Sequence, residues 1–202
     1  MRHPGPLGYL ALSQIALGGL VGVCVAVSPG VVLGADEGGV SNYGVRAATV
    51  VPYTLAFALC AVGLRAAAAA LPSYLPARRR LAGGMDATAA GLVAVLASTY
   101  PYKLDAALGE LHLALAILLF VVQLVFITWM VFVACPRPAP IALWTAWAAG
   151  GVLGVVTLVG AAHLLFAAQA DMSVGFGLAT LAVTARLLDQ AATGGLRRLG
   201  PH

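Results

Sequence analysis

Charged side chains are scarce in this chain: Asp, Glu, Lys and Arg make up 9% of its 202 residues, with one lysine (Lys103) and one asparagine (Asn42). A water-soluble fold needs far more polar surface than that, so a soluble class is excluded. Cysteine is rare too. Cys24, Cys60 and Cys135 stand far apart with no CxxC pair, which removes a disulfide framework or thiolate metal site and leaves them as small apolar filler. Also missing are a phosphate-binding glycine loop, an HExxH helix and a GxSxG elbow, the templates of common soluble enzymes. The sequence has no regular apolar–polar alternation either, so a membrane β-barrel is not read from it.

Apolar residues account for 61% of the chain, and its mean hydropathy is +0.97. A helix crossing the hydrocarbon takes roughly 20 residues. Runs at about 7–31, 47–72, 85–102, 107–134, 141–168 and 173–192 meet that length, each closed by charges, prolines or glycines. The expectation is an all-α polytopic membrane protein: one domain over residues 1–202, a bundle of six transmembrane helices. The third run, rich in alanine with Asp86 and Thr88 near one end, is expected to sit behind its neighbours.

With both termini on one side, that side collects Arg2, Arg78, Arg79, Arg80, Arg137, Arg197 and Arg198, against Arg46 and Lys103 on the other. Cytoplasmic loops hold the excess of basic residues, so both termini are assigned to the cytoplasm. The RRR run at 78–80 then reads as part of a short juxtamembrane turn, and no nucleic-acid partner is implied. The first apolar run is too long for a signal core and LVGVC lacks the small residue expected before a lipidated cysteine, so it reads as a retained span. Alanine-rich spans and arginine in place of lysine suit a bacterial chain, hence a bacterial plasma membrane.

Pro29 in SPG and Pro52 in VVPY are expected to bend the first two helices near their outer ends. Between them ADEGGVSNYGVR, at 35–46, would form a glycine-rich flap over the bundle. Gly18 with Gly22 in the first span, and Gly150 with Gly154 in the fifth, are pairs four apart that let a neighbouring backbone approach. Membrane lipids are the expected partners, with a second membrane protein on the small-residue faces.

Polar residues inside a membrane are costly and therefore informative. His112 and Gln123 are eleven residues apart on the fourth span, about three turns, and point the same way; Asp105 joins them if the helix begins early enough. That stripe should face the bundle interior, where His163 of the fifth span meets it. With Asp36, Asn42, Tyr43 and Arg46 of the flap, these residues make the candidate ligand-binding set of an outward-facing polar pocket. A histidine at this depth also fits a plain structural bond to a neighbour. No catalytic residue, cofactor or metal is assigned; a zinc hydrolase would need His112, His163 and an acid such as Asp36, Asp105 or Asp171. Nearer the cytoplasmic side, Arg65, Asp86, Arg186 and Asp189 read as snorkelling and ion-paired residues.

The loop GxSNYG and the fourth-span opening ELHLALAILLF resemble the bacterial membrane family catalogued as domain of unknown function 998. More distantly the chain is similar to the Frag/DRAM/Sfk-like six-span proteins, whose H-x-x-x-A-x-x-x-F pattern reads here His112, Ala116 and Phe120. The resemblance implies a six-helix bundle with an outward polar site and, in some members, a role in lipid remodelling or membrane organisation. The last span departs from the pattern: LATLAVTARLLD offers only threonines before Arg186. Three functions stay open. The first is an accessory or membrane-organising protein, the second a binder or carrier of a lipid or small polar molecule, and the third a lipid-modifying enzyme.

Overall fold

The computed structural model describes residues 4–33, 39–75, 77–160 and 164–198. Among the described residues six helices are long and apolar enough to cross a membrane: α1 (Pro6–Val27), α3 (Val50–Ala70), α4 (Arg78–Thr99), α5 (Ala106–Trp129), α6 (Pro138–Leu158) and α7 (Leu165–Arg198). A short helix α2 (Gly30–Leu33) and a 3-10 helix (Gly39–Val45) lie between α1 and α3, and a π turn (Met130–Ala134) prolongs α5. Among the described residues there is no strand. The protein is an all-α, multi-pass membrane bundle.

Helix ends follow local chemistry. Pro6 and Pro138 sit in the first turns of α1 and α6, where a missing N–H leaves no hydrogen bond unmade. Asp105 caps α5 by accepting from the Ala107 N–H at 2.7 Å. Pro29 and Pro52 do not bend their helices as expected. Pro29 lies beyond the Ser28 cap that closes α1, and Pro52 falls in the first turn of α3, so neither breaks an internal helical bond.

Two boundaries also differ. α4 starts at Arg78 instead of near 85, so the arginine run is its first turn and not a loop. Three cations at a helix N-terminus oppose its dipole, and the following glycine pair reads as a turn, which hides the start. Gly84 is instead a packing position: the Phe126 ring of α5 lies against it. Further on, α6 ends at Leu158 and α7 begins at Leu165, where the sequence had suggested one span running to 168. Gly160 at φ +78 follows the Val159 cap and marks the end of α6, in a stretch with no proline or charge to signal it. Among the described residues nothing lies within 4 Å of a Cβ at Gly160, so the expected penalty is that of the backbone. Gly160→Val is expected to lower stability by about 1–2 kcal/mol, read as a lower Tm at unchanged helix content.

α3 packs along both α1 and α4, α4 along α5, and α6 along α7, while α7 reaches back to touch α1 and α5. α4 and α7 are the most enclosed spans and α1 and α6 the least. α4 does sit behind its neighbours. Gly63 of α3 takes the Ser13 side chain of α1, and Gly150 of α6 lies against α7, where an added Cβ would come within 2.7 Å of Asp171 Oδ2 and 3.1 Å of the Ala168 carbonyl. Gly18, Gly19 and Gly22 behave differently. Among the described residues nothing lies within 4 Å of the position a Cβ would take at any of them, so their packing does not require them to be glycine. Both expected ion pairs form on the exterior, Arg65 with Asp86 at 4.0 Å and Arg186 with Asp189 at 3.9 Å.

Candidate functional site

The 3-10 helix Gly39–Val45 lies across the bundle and is almost wholly buried. His112, in the second turn of α5, holds it down. Its Nε2 is 2.9 Å from Ser41 Oγ and its Nδ1 is 2.9 Å from Ser98 Oγ of α4. Ser98 gives its only hydroxyl proton to the Val95 carbonyl at 2.9 Å, so toward His112 it can only accept. Nδ1 therefore carries the ring proton, and Nε2 accepts from the Ser41 hydroxyl. Both ring nitrogens of a neutral imidazole are used. The Tyr102 ring stacks on this imidazole at 4.8 Å, and its hydroxyl donates to Asn42 Oδ1 at 3.0 Å. Burial pushes the Tyr102 phenol up to about 12, so it keeps that donor proton at neutral pH.

The same helix is tied down at three further points. The Val40 N–H donates to Gln169 Oε1 of α7 at 2.7 Å, Tyr43 donates to the Ser28 carbonyl at 3.3 Å, and Thr49 Oγ1 donates to the Tyr43 carbonyl at 2.8 Å. Gly39 has φ +51, and the space a side chain would need there is filled by Gln169, so glycine is required on two counts.

Beneath this roof lies a cavity of about 400 Å³. That size suits a small ligand or a single hydrocarbon chain. Its floor is set where α7 meets its neighbours: Gly177 against Gln14 of α1, and Phe176 against Phe126 of α5 with ring centres 6.1 Å apart. The back wall is apolar, from Phe57, Leu92, Val95, Leu119 and Phe120. Ser41, Gln169 and Ser173 bring polar atoms near the roof, and Gln14 and Gln123 near the floor. Among the described lining residues none is charged.

Four lining residues are exposed: Gly18 and Gly22 on α1, Val174 and Leu178 on α7. They mark the opening, a gap between those two helices. At 1.5 Å per residue the α1 pair lies about 8–14 Å below the loop end of that helix, and the α7 pair about 14–20 Å below its start. The hydrocarbon is about 30 Å thick, so the gap faces acyl chains, not water.

Of the residues picked out from sequence, the structure brings His112, Asn42 and Tyr43 together in and under the roof. Gln123 is on the same face of α5, but lower, in the cavity itself. Asp105 and Arg46 are exposed. Asp105 does not join the interior stripe because the helix begins one residue after it, which makes it the cap. Asp36 and His163 lie outside the described residues, and α6 ends before His163 is reached. Among the described residues no three of His, Cys, Asp and Glu converge. Sequence reasoning missed Ser41 and Ser98 as the partners of His112, and Gln14 as a lining residue. A lone glutamine in an otherwise apolar first span was the available signal for the last.

No family model matches this chain, and no curated protein or solved structure matches it either. The resemblance drawn above therefore rests on its two motifs. In the fold these motifs meet: Ser41 of GxSNYG bonds His112, and Ala116 and Phe120 continue from that histidine down the cavity wall.

Proposed function

We propose that this protein binds a lipid of the membrane it spans, admitting the hydrocarbon chain sideways between α1 and α7. The observation that carries this reading is the position of the gap: an apolar cavity whose exposed rim, Gly18, Gly22, Val174 and Leu178, lies at hydrocarbon depth. A glycine in an exposed helix interior costs up to about 1 kcal/mol relative to alanine. Gly18 and Gly22 carry that cost with no neighbour in the bundle that needs it, which supports a molecule from outside passing over them. The excess of arginine on one side supports both chain ends being cytoplasmic, and alanine-rich spans with arginine in place of lysine support a bacterial plasma membrane. A lipid-modifying reaction is less well supported, because His112 has both ring nitrogens engaged in holding the roof.

Gly18→Leu and Gly22→Leu test the reading. Each leucine has open space to enter and a better helix propensity than glycine, so Tm is expected to hold or rise. Lipid adducts retained on the detergent-purified protein in native mass spectrometry are expected to fall sharply. Adducts retained at the wild-type level would sink the proposal. If the variants instead lose a copurifying protein or a second copy of the chain while keeping lipid, the membrane-organising reading takes its place, with the glycine pair serving a partner helix.

A further inference from the structure

Asp171 differs from the other described carboxylates in its depth. Asp86 and Asp189 lie in ion pairs and Asp105 caps α5, whereas Asp171 has neither a hydrogen bond nor an ion pair among the described residues. Glu110 is close to the loop end of α5, which with its π turn runs 29 residues and overshoots a bilayer. Asp171 is exposed, but against the middle of a span. Its Oδ2 is the atom an added Cβ at Gly150 would meet, so the carboxylate lies over that glycine. Gly150 is about 12 Å from the Leu158 end of α6. With 21 residues, about 31 Å, α6 is only just long enough to cross the hydrocarbon. Val159 and Leu164, which flank the turn beyond it, are apolar and exposed. From the other side, Arg186 is about 22 Å further along α7. Both counts put the Asp171 carboxylate inside the hydrocarbon, facing lipid.

Its face on α7 is that of the gap. Asp171, Val174 and Leu178 are exposed at positions i, i+3 and i+7 and share one side of the helix. Met172 and Gly175 turn toward α6, and Ser173 and Gly177 toward the cavity and α1. Asp171 therefore stands one turn above Val174, at the rim of the opening.

Resting on the lipid-binding reading, we infer that the molecule admitted through the gap is a long-chain amphiphile with an ammonium head, held by Asp171 at the rim while its chain lies in the cavity. A carboxylate among acyl chains without a partner is strongly disfavoured, and a cation arriving from the lipid side removes that cost. An anionic head is repelled at the same place. No described lining residue of the cavity is charged, so nothing inside competes for the ammonium and it stays at the rim. The reach also fits. Side chains three apart on a helix are about 5–6 Å from each other, so a head on Asp171 is a few methylenes from a chain crossing Val174. Gly150 completes the seat by leaving the room that the carboxylate occupies.

The test uses the full chain in phosphatidylcholine nanodiscs and a pyrene-labelled long-chain alcohol, displaced by three competitors of one chain length: oleylamine, oleyl alcohol and oleyl phosphate. In the wild type oleylamine is expected to compete best, about tenfold better than the alcohol, with the phosphate weakest. Asp171→Asn keeps the shape of the side chain over Gly150 and removes its charge. In that variant oleylamine is expected to fall to the level of oleyl alcohol, while the alcohol competes as in the wild type and so reports an intact cavity. Oleylamine no better than oleyl alcohol in the wild type, or an amine advantage that survives Asp171→Asn, would overturn the head-group inference alone. Failure of the labelled alcohol to bind the wild type, or binding undiminished by Gly22→Leu, would overturn the lipid cavity itself.

Discussion

His112→Ala is expected to cost about 2–4 kcal/mol, the sum of a lost ring volume and a stranded hydroxyl. The imidazole is buried between α4 and the 3-10 roof, so its removal leaves Tyr102 stacked on nothing and Ser41 without the acceptor it now has. Ser98 suffers less, because its proton still reaches the Val95 carbonyl. Ser41→Ala removes the hydrogen bond but keeps the ring packed, so a smaller loss of about 1 kcal/mol is expected. Thermal denaturation gives the magnitudes. Hydrogen exchange gives the location: the Val40 amide, bonded to Gln169, should exchange much faster in His112→Ala while amides in α3 and α4 stay protected. An unchanged Tm and unchanged exchange over the 3-10 helix would mean that the roof is held without this histidine.

Gly150→Leu is expected to be the most damaging substitution in the small-residue pairs, at about 3 kcal/mol. The space is occupied by the Ala168 carbonyl and the Asp171 and Met172 side chains of α7, and a backbone oxygen cannot step aside as a flexible side chain can. Alanine at three glycines sorts the cause. Gly150→Ala should destabilise, since its Cβ falls 3.1 Å from that carbonyl. Gly154→Ala should be close to neutral, with its nearest contact at 3.7 Å, and Gly22→Ala should stabilise because its Cβ meets open space. All three look alike in the sequence as members of small-residue pairs. A uniform response in denaturation midpoints would contradict the division drawn here between packing glycines and gap glycines.

That division shows where sequence reading reaches its limit. The six spans were legible because hydropathy is a local property and each run is long enough to cross a bilayer. The α6–α7 turn was not, since no proline or charge interrupts the residues around Gly160 and its visible markers are the positive φ of that glycine and the Leu164 N–H bonded to Thr157 Oγ1 at 3.3 Å. That error moved Gln169 and Asp171 out of a helix and into a loop. The shared face of His112 and Gln123 followed from helical spacing alone and holds in the structure. What spacing could not supply was the partner of each. Ser98 is fourteen residues from His112 and Ser41 seventy-one. Their meeting depends on how α4 and the 3-10 helix pack, which no periodicity encodes.

The polar character expected of the pocket was likewise a reading of residue type without direction. Asn42 and Tyr43 spend their polar atoms on hydrogen bonds within and around the roof, with Asn42 taking the Tyr102 hydroxyl and Tyr43 reaching the Ser28 carbonyl. The surface left below is built mainly from aliphatic and aromatic side chains. Gly18 and Gly22 were visible as small residues. That they border a gap and not a helix contact is a fact of tertiary structure.

Whether bilayer chains enter between α1 and α7 can be measured most directly with brominated lipids, whose bromine atoms quench tryptophan on contact. Phe120→Trp places an indole on the cavity wall, and its emission is read above that of the three native tryptophans. The account predicts strong quenching when the bromines sit midway along the acyl chain, and recovery of the emission when Gly22→Leu is added to close the gap. Weak quenching of that indole, or quenching that Gly22→Leu leaves untouched, would contradict it.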